Sequence, residues 1–294
     1  PKLDPNTGEL HAMCYDYANK FETIDYVVID KNGSHKKTQT IPFETRSMLH
    51  ECAITENYVL VLDLSVTFNL ERLSGGYFPF AWDDNHQSRI GLLDRNDESQ
   101  DVRWFEIDRT YFFHTFNAYE DKSGDVIVSA TAYDRLFDKD RNGPFTESSP
   151  HLRRWILDLK SGSAKSEQLD DRSIEFPRIH PDLVSKSNQF GYALASSNFK
   201  KPDFKEIVKY DFVNDTSEVY EYGSGNFGAE PVFVPSKGAN DEDEGYLLSL
   251  VYDQETDKSD LIILNAQEVS SGPLAKVHLP QRVPFGFHGD WINI

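Results

Sequence analysis

The sequence is poor in cysteine, with two, Cys14 and Cys52, in 294 residues. Two cysteines cannot form the disulfide framework of a small secreted domain, and no second cysteine or nearby histidine completes a zinc set around the run His50-Glu51-Cys52. The sequence also lacks a long apolar span and a cleavable leader pattern. These absences favour a cytoplasmic or peripheral membrane protein, and a plastid location would require a targeting segment upstream of Pro1.

Positive charge is scarce as well. The chain has 30 Lys and Arg against 49 Asp and Glu, which gives a formal net charge of -19. Such a chain repels phosphate backbones and anionic headgroups, so the charge argues against nucleic acid partners and against polybasic docking to a membrane. We expect a neutral or cationic ligand.

Helical periodicity is nearly absent, and short apolar or alternating runs take its place. Three examples, separated by turn clusters, are YVLVLDL at 58–64, DVIVSATAY at 125–133 and GYLLSLVY at 245–252. Runs of this length with period-two patterning are typical of strands. The sequence therefore predicts an all-β protein.

One strand-turn-strand unit recurs along the chain. Its strands start near Trp155, Ile207 and Leu261, at intervals of 52 and 54 residues. A repeat of this size with four short strands per unit is typical of a β-propeller. We predict about five blades in residues 1–294 and no second domain.

Polar residues interrupt the apolar runs at nearly the same period. They are His50, His114, Glu175, Glu230 and His288, at intervals of 64, 61, 55 and 58 residues. Equivalent positions of successive blades face one axis, so these side chains would converge on the central channel. The alternative for each residue alone is a half-buried side chain with an ordinary hydrogen bond.

The chemistry of this set indicates a metal. Several neutral imidazoles around one point suit a divalent transition metal such as Fe(II), Cu or Zn. Glu175 and Glu230 fit a supporting role, in which each carboxylate accepts the N–H of a ligating histidine and fixes its tautomer.

Six stretches resemble one known family along the whole chain. They are PKLDPNTGELHAMCYDY, HECAITENYVLVLDLSVTFNLERL, FHTFNAYED, EFPRI, EPVFVP and VHLPQRVPFGFHGDW, and they resemble the carotenoid cleavage oxygenase family, which includes the retinal pigment epithelial membrane protein. The resemblance implies a seven-bladed propeller with one non-haem Fe(II), held by four histidines, three of them backed by glutamates.

The resemblance assigns residues one by one. His50, His114 and His288 match the second, third and fourth ligand motifs, and Glu175 and Glu230 match two of the supporting glutamates. The first ligand motif reads His-Pro-Lys, so we expect the first ligand directly before Pro1, and a third glutamate and about two blades further upstream. This chain would then be the C-terminal portion of the propeller, and inactive in isolation.

The family reaction is cleavage of a conjugated C=C bond by O₂ to give two carbonyl products, with no catalytic residue beyond the metal ligands. The resemblance favours a carotenoid or apocarotenoid substrate, and a stilbene-cleaving enzyme stays open. Phe113, Phe176 and Phe287 adjoin site residues and are candidates for the wall of a substrate tunnel, with core packing as the alternative. A non-catalytic binding scaffold and a zinc hydrolase are the other functions that the residues allow.

An apolar cluster surrounds Gly75-Gly76 in residues 70–82. Its members are Leu70, Leu73, Tyr77, Phe78, Phe80 and Trp82. Family members commonly carry an apolar lip here through which lipophilic substrates leave the membrane, and an ordinary packed loop is the alternative.

Overall fold

The structure is a computed structural model that describes residues 1–17, 19–144, 147–197, 203–286 and 288–292. Over these residues it contains 23 strands, one α-helix and two short 3₁₀ helices, Pro181–Leu183 and Val269–Ser271. No helix in the described ranges is long and apolar enough to cross a membrane. The all-β prediction is confirmed.

The chain divides into two compact units. Unit 1 comprises Pro1–Asp171 with Val184–Ser187, and unit 2 comprises Arg172–Leu183 with Asn188–Ile294. The prediction of a single propeller domain is not tested by this division and stays a prediction.

Sheet 1 of unit 1 is a four-stranded antiparallel meander in chain order. Its strands are β1 (Lys2–Leu3), β2 (Leu10–Cys14), β3 (Thr23–Ile29) and β4 (His35–Pro42). Every second residue of β3 is buried, which is the alternation that places one face of a strand on a core.

Sheet 2 contains an insertion. The next elements are β5 (Ala53–Ile54), β6 (Tyr58–Asp63), β7 (Val66–Phe68), α1 (Leu70–Ser74), β8 (Phe80–Trp82), β9 (Arg89–Asp94) and β10 (Arg103–Glu106). The sheet runs β5, β6, β9, β10, and β7 and β8 form a separate hairpin that carries α1 between them. The apolar cluster of residues 70–82 therefore lies on an insertion between the second and third strands of this sheet.

Sheet 3 is formed by β11 (Tyr111–Glu120), β12 (Val126–Tyr133), β13 (His151–Asp158) and β14 (Ser163–Gln168). All eight residues of β12 are buried, whereas β14 is almost entirely exposed. A largely apolar run such as VIVSATAY, with small polar residues at Ser129 and Thr131, fits the middle of a sheet that is covered on both faces.

Unit 2 holds two further sheets. Sheet 4 contains β15 (Ile174–Arg178), β16 (Phe190–Ala195), β17 (Glu206–Asp211) and β18 (Thr216–Glu221). Sheet 5 contains β19 (Asn226–Gly228), β20 (Val232–Pro235), β21 (Gly245–Asp253), β22 (Lys258–Asn265) and β23 (Pro273–His278), and both β19 and β20 pair with β21.

The core of unit 2 lies where the middle strands of these two sheets pack. It includes Tyr192, Ile207, Tyr222, Phe233 and Leu247, all almost inaccessible to solvent. Gly228 permits this packing, because a Cβ there would lie 2.1 Å from the ring of Tyr222.

The five large sheets share one plan. Within the described residues each is an antiparallel sheet whose strands follow chain order, apart from the insertion in sheet 2 and the doubled first strand of sheet 5. The last strand of each sheet is its most solvent-exposed part. Four of the five predicted site residues lie at or directly beside the first or second strand of a sheet: His50 precedes β5, His114 lies in β11, Glu175 lies in β15 and Glu230 precedes β20. The sequence period thus corresponds to one sheet per repeat.

Candidate metal centre

In unit 1 the predicted ligands His50 and His114 lie side by side. Their ring centroids are 5.2 Å apart and the ring planes meet at 73°. His50 stands in a short connection fixed on both sides by buried residues, Ser47–Leu49 before it and Cys52–Ile54 after it. This anchoring places an exposed imidazole at a defined point of an otherwise buried segment.

His114 owes its direction to an irregularity in its strand. The pairing of β11 with β12 shifts register between Phe112 and Thr115, so Phe113 and His114 together oppose a single residue of the partner strand. A β-bulge of this kind redirects side chains. The Thr131 hydroxyl donates a hydrogen bond of 3.3 Å to the carbonyl of His114 and so anchors the bulge.

Phe113 packs against this pair. Its ring centroid lies 5.0 Å from that of His50 in an edge-to-face contact and 5.7 Å from that of Tyr133. The ring is half-buried, so an aromatic surface borders the two imidazoles. Its proposed role in substrate contact stays a prediction.

Glu51 is a charged neighbour of this histidine pair. In the sequence it stands out only as part of the incomplete zinc pattern His50-Glu51-Cys52. Its carboxylate accepts the backbone N–H of Thr115 and forms an ion pair with Lys2. Burial by itself favours the neutral acid, but the Lys2 ammonium, the electrostatic interaction with His114 and the hydrogen bonds hold the pKa of Glu51 below its ordinary value. A carboxylate directly after a predicted ligand in an apolar segment is the signal that could have found it.

In unit 2 His288 is held by Glu230. The Nδ1 of His288 lies 3.2 Å from Oε1 of Glu230, whose side chain is only 4% exposed. The other carboxylate oxygen accepts the backbone N–H of Gly289 at 2.8 Å. Because Nδ1 faces a carboxylate it carries the proton, and Nε2 is then the nitrogen suited to bind a metal.

Arg178 completes this cluster, and sequence reasoning missed it. Its Nε and Nη2 donate to the two oxygens of Glu230 at 2.9 and 3.0 Å, and its Nη2 also donates to the carbonyl of Gly289. Burial opposes the charge of Glu230, yet the bonds from His288, Arg178 and Gly289 together hold the pKa of this carboxyl below its ordinary value. Glu230 is therefore an ionised acceptor for His288. The arginine belongs to the motif EFPRI. Arginine side chains frequently donate two parallel hydrogen bonds to one carboxylate, as Arg178 does here.

Glu175 and Phe176 lie in a strained, irregularly paired stretch of β15 in the same unit. Phe176 has φ of 55°, a left-handed conformation that is uncommon for a bulky residue, and its N–H donates to the Glu175 carboxylate at 2.7 Å. This conformation brings the Phe176 ring to 5.6 Å from His288, edge to face. A bond between Glu175 and a histidine stays a prediction, and Phe287 lies outside the described residues.

The apolar residues of 70–82 differ in exposure, and Phe78 and Trp82 are half-buried. Leu70, Leu73 and Tyr77 are 67%, 49% and 40% exposed, whereas Phe80 is 7% exposed and belongs to the core. Arg72 of α1 points inward, where its guanidinium donates to the carbonyls of Phe80 and Asp138 at 3.2 and 2.6 Å. The helix therefore presents its leucines to solvent and buries its arginine.

The donor chemistry of both clusters fits a transition metal ion. Such ions commonly bind imidazole nitrogens in proteins. Unit 1 offers two imidazoles with centroids 5.2 Å apart, and unit 2 offers one imidazole whose Nδ1 is held by a carboxylate. The repeated antiparallel sheets and these donors are together typical of an all-β protein that can hold a metal ion.

Comparison with known proteins places the chain within that class. Residues 1–293 match the model of the family described as RPE65, retinal pigment epithelial membrane protein, and the chain belongs to this family. It is 33% identical over 342 residues to the carotenoid cleavage oxygenase of Mycobacterium tuberculosis, in an alignment that covers 99% of this chain and 67% of that relative.

Solved structures show the same fold. Cobalt-substituted Synechocystis ACO, an apocarotenoid oxygenase, superposes on this chain with a TM-score of 0.87 at 25% identity. The superposition covers 100% of this chain and 64% of the ACO chain. The lignostilbene dioxygenase of Pseudomonas brassicacearum superposes with a TM-score of 0.87 at 28% identity, over 99% of this chain and 65% of that one. The predicted family and propeller class are confirmed, and the chain spans about two thirds of the length of these relatives.

Proposed function

We propose that the protein carrying this chain is a non-haem Fe(II) dioxygenase that cleaves a conjugated C=C bond of a carotenoid or apocarotenoid with O₂, to give two carbonyl products. The observation that carries the proposal is the His50–His114 imidazole pair, 5.2 Å between centroids, in a chain of this family. A cobalt-substituted relative supports a divalent metal.

In this proposal His50, His114 and His288 hold one iron. His288 would bind through Nε2, because its Nδ1 is engaged by Glu230. Glu175 supports a further ligand, as the resemblance implies. Fe(II) held by neutral imidazoles would supply an O₂-binding centre without a separate redox cofactor.

The remaining residues of the site position the substrate. A polyene offers no charged group to recognise, so its alignment depends on apolar walls that hold one double bond beside the iron. Phe113 beside His50 and Phe176 beside His288 are aromatic rings in contact with predicted ligands. We assign them to those walls.

The test is made on the whole protein, purified without oxygen. We expect stoichiometric iron, and O₂ uptake that depends on an apocarotenoid or carotenoid and labels both carbonyl products from ¹⁸O₂. The His114→Ala variant should lose iron and turnover together. His35→Ala is the matched control, because His35 is exposed and, within the part of the chain that the structure describes, its ring bonds to nearby Thr38 alone.

Three outcomes would contradict the proposal. Stoichiometric zinc with no O₂ uptake would indicate a hydrolase. Absence of metal would indicate a binding scaffold. Turnover confined to phenolic stilbenes would place the protein with the lignostilbene dioxygenase to which it is also similar.

We further propose that residues 70–82 contact a membrane peripherally. Burial of Arg72 turns Leu70 and Leu73 outward, so this short helix offers two exposed leucines, with Tyr77 nearby in the chain, to an apolar phase. Because the net charge is -19, vesicles of neutral phosphatidylcholine are the appropriate probe. The Leu70→Ser/Leu73→Ser variant should sediment less with them at an unchanged melting temperature. Equal sedimentation of both proteins would refute the contact.

A further inference from the structure

The carboxylate of Glu51 joins three separate parts of unit 1. One oxygen pairs with the ammonium of Lys2 in β1, and the other accepts the backbone N–H of Thr115 in β11. Glu51 itself directly follows His50. Its side chain is 15% exposed and that of Lys2 is 24% exposed, so solvent competes little for these contacts.

The Thr115 amide lies at a weak point of its strand. The register of β11 against β12 shifts both before and after Thr115, and the residue is 3% exposed. A buried N–H beside a bulge requires an acceptor, because an unpaired one costs as much as a lost hydrogen bond. Glu51 supplies that acceptor from a segment 64 residues away.

The two bonds act on both predicted ligands at once. Glu51 is covalently next to His50, and Thr115 is covalently next to His114, so the carboxylate fixes one histidine-bearing segment against the other. Lys2 holds the carboxylate in the orientation that the Thr115 amide needs, and it neutralises a charge that would otherwise be costly to bury.

From this geometry we infer that Lys2, Glu51 and the Thr115 amide form a positioning clamp that sets the distance and angle between the imidazoles of His50 and His114. The inference rests on the proposed function, because the separation of the two rings matters for a shared metal. The clamp itself is a property of unit 1 that is measurable without turnover.

The same strand offers a matched control. Glu120, at the other end of β11, accepts the backbone N–H and the side-chain amide of Asn57 at 3.0 and 2.6 Å, and also the hydroxyl of Thr55. It thus ties the β5–β6 connection to β11 by the same chemistry, but six residues from His114. Glu120→Gln removes an equivalent carboxylate without touching the clamp.

The experiment compares Glu51→Gln, Lys2→Met, Lys2→Arg and Glu120→Gln in the whole protein. A carboxamide keeps one acceptor oxygen and turns a donor toward either the Lys2 ammonium or the Thr115 N–H, so one contact is lost. We expect Glu51→Gln to weaken Co(II) affinity by about 10–100-fold and to shift the visible absorption of the Co(II) form. Lys2→Met should also weaken Co(II) affinity, whereas Lys2→Arg, which keeps the positive charge, should retain it. Glu120→Gln should have the Co(II) affinity of the wild type.

A second measurement is independent of metal and turnover. Hydrogen–deuterium exchange of the metal-free protein, followed in a peptide spanning residues 112–118, should be faster in Glu51→Gln and unchanged at Thr115 in Glu120→Gln. If Glu51→Gln exchanges hydrogen at the wild-type rate in this peptide and binds Co(II) with the wild-type affinity, the inference of a clamp is overturned. Equal losses in Glu51→Gln and Glu120→Gln would overturn it too, since they would show general destabilisation. If the wild type binds no metal, the proposed function fails, and exchange alone decides the clamp.

Discussion

Replacing Glu230 by glutamine tests the supporting carboxylate of unit 2 most directly. In the wild type one oxygen accepts from Nε of Arg178 and Nδ1 of His288, and the other accepts from Nη2 of Arg178 and the N–H of Gly289. A carboxamide has one acceptor end and one donor end. Whichever way the amide turns, two donors face an NH₂ group, and the arginine loses its counter-charge.

The magnitude follows from burial. Removing one partner of a buried ion pair costs about 3–5 kcal/mol, but the Arg178 side chain is 29% exposed and recovers part of its solvation from water. We expect a loss of about 2–3 kcal/mol in the free energy of unfolding. Separately, His288 loses the charged acceptor of its Nδ1–H, and metal affinity should fall by about 10–100-fold.

Urea denaturation of the metal-free whole protein and anaerobic metal titration separate the two effects. Arg178→Met should reduce stability while leaving most of the metal affinity, because the Glu230–His288 bond remains. Asp243→Asn is the control, because it breaks another buried pair of unit 2, with Lys209 at 2.6 Å, and touches no predicted ligand. Unchanged metal affinity in Glu230→Gln, or an equal loss in Arg178→Met, would refute a direct role of the glutamate on His288.

The acid side of the stability curve gives a further check on Glu230. Its pKa is lowered in the folded state. Its contribution to the free energy of unfolding is therefore present above the ordinary glutamate pKa of about 4.5 and is lost as the pH falls through the folded-state pKa. The wild type should lose this component in acid, and Glu230→Gln should lack it.

The remaining predictions concern stability. Burial, with the nearby charge of Arg95, lowers the pKa of His11 to about 4, so the folded state keeps this ring neutral. The free energy of unfolding should therefore fall by about 1.4 kcal/mol for each unit by which the pH decreases from 6.5 to about 4, because only the unfolded chain takes up the proton there. His11→Gln should remove this pH dependence in urea titrations. An unchanged dependence in that variant would contradict the assignment to His11. Gly228→Ala should cost about 1–3 kcal/mol, because the new Cβ would meet the Tyr222 ring. Gly143→Ala, whose nearest atom is 3.6 Å away, should stay within about 0.5 kcal/mol, and thermal melts of both variants decide whether packing is the cause.

The local sequence pattern determined the class of fold. Period-two and fully apolar runs fix which residues enter a sheet, and their recurrence places one four-stranded sheet in each repeat, so the all-β propeller could be predicted from spacing alone. The same regularity identified His50, His114 and His288 as positions that break an apolar pattern at the blade period. Within unit 1 the rings of His50 and His114 lie 5.2 Å apart between centroids, and their role as metal ligands stays a prediction.

Only the tertiary structure decided how these histidines are held. The Glu51 carboxylate finds its amide 64 residues away, and Arg178 finds Glu230 across 52 residues. The sequence marks the positions of both carboxylates, but neither separation identifies the donor, because partners so far apart are chosen only when folding removes water and brings them together. The bulge before Thr115, the left-handed backbone of Phe176 within β15 and the inward Arg72 have the same origin. Each is a local departure from a regular pattern that long-range contacts stabilise, and a periodic sequence signal carries no information about such contacts.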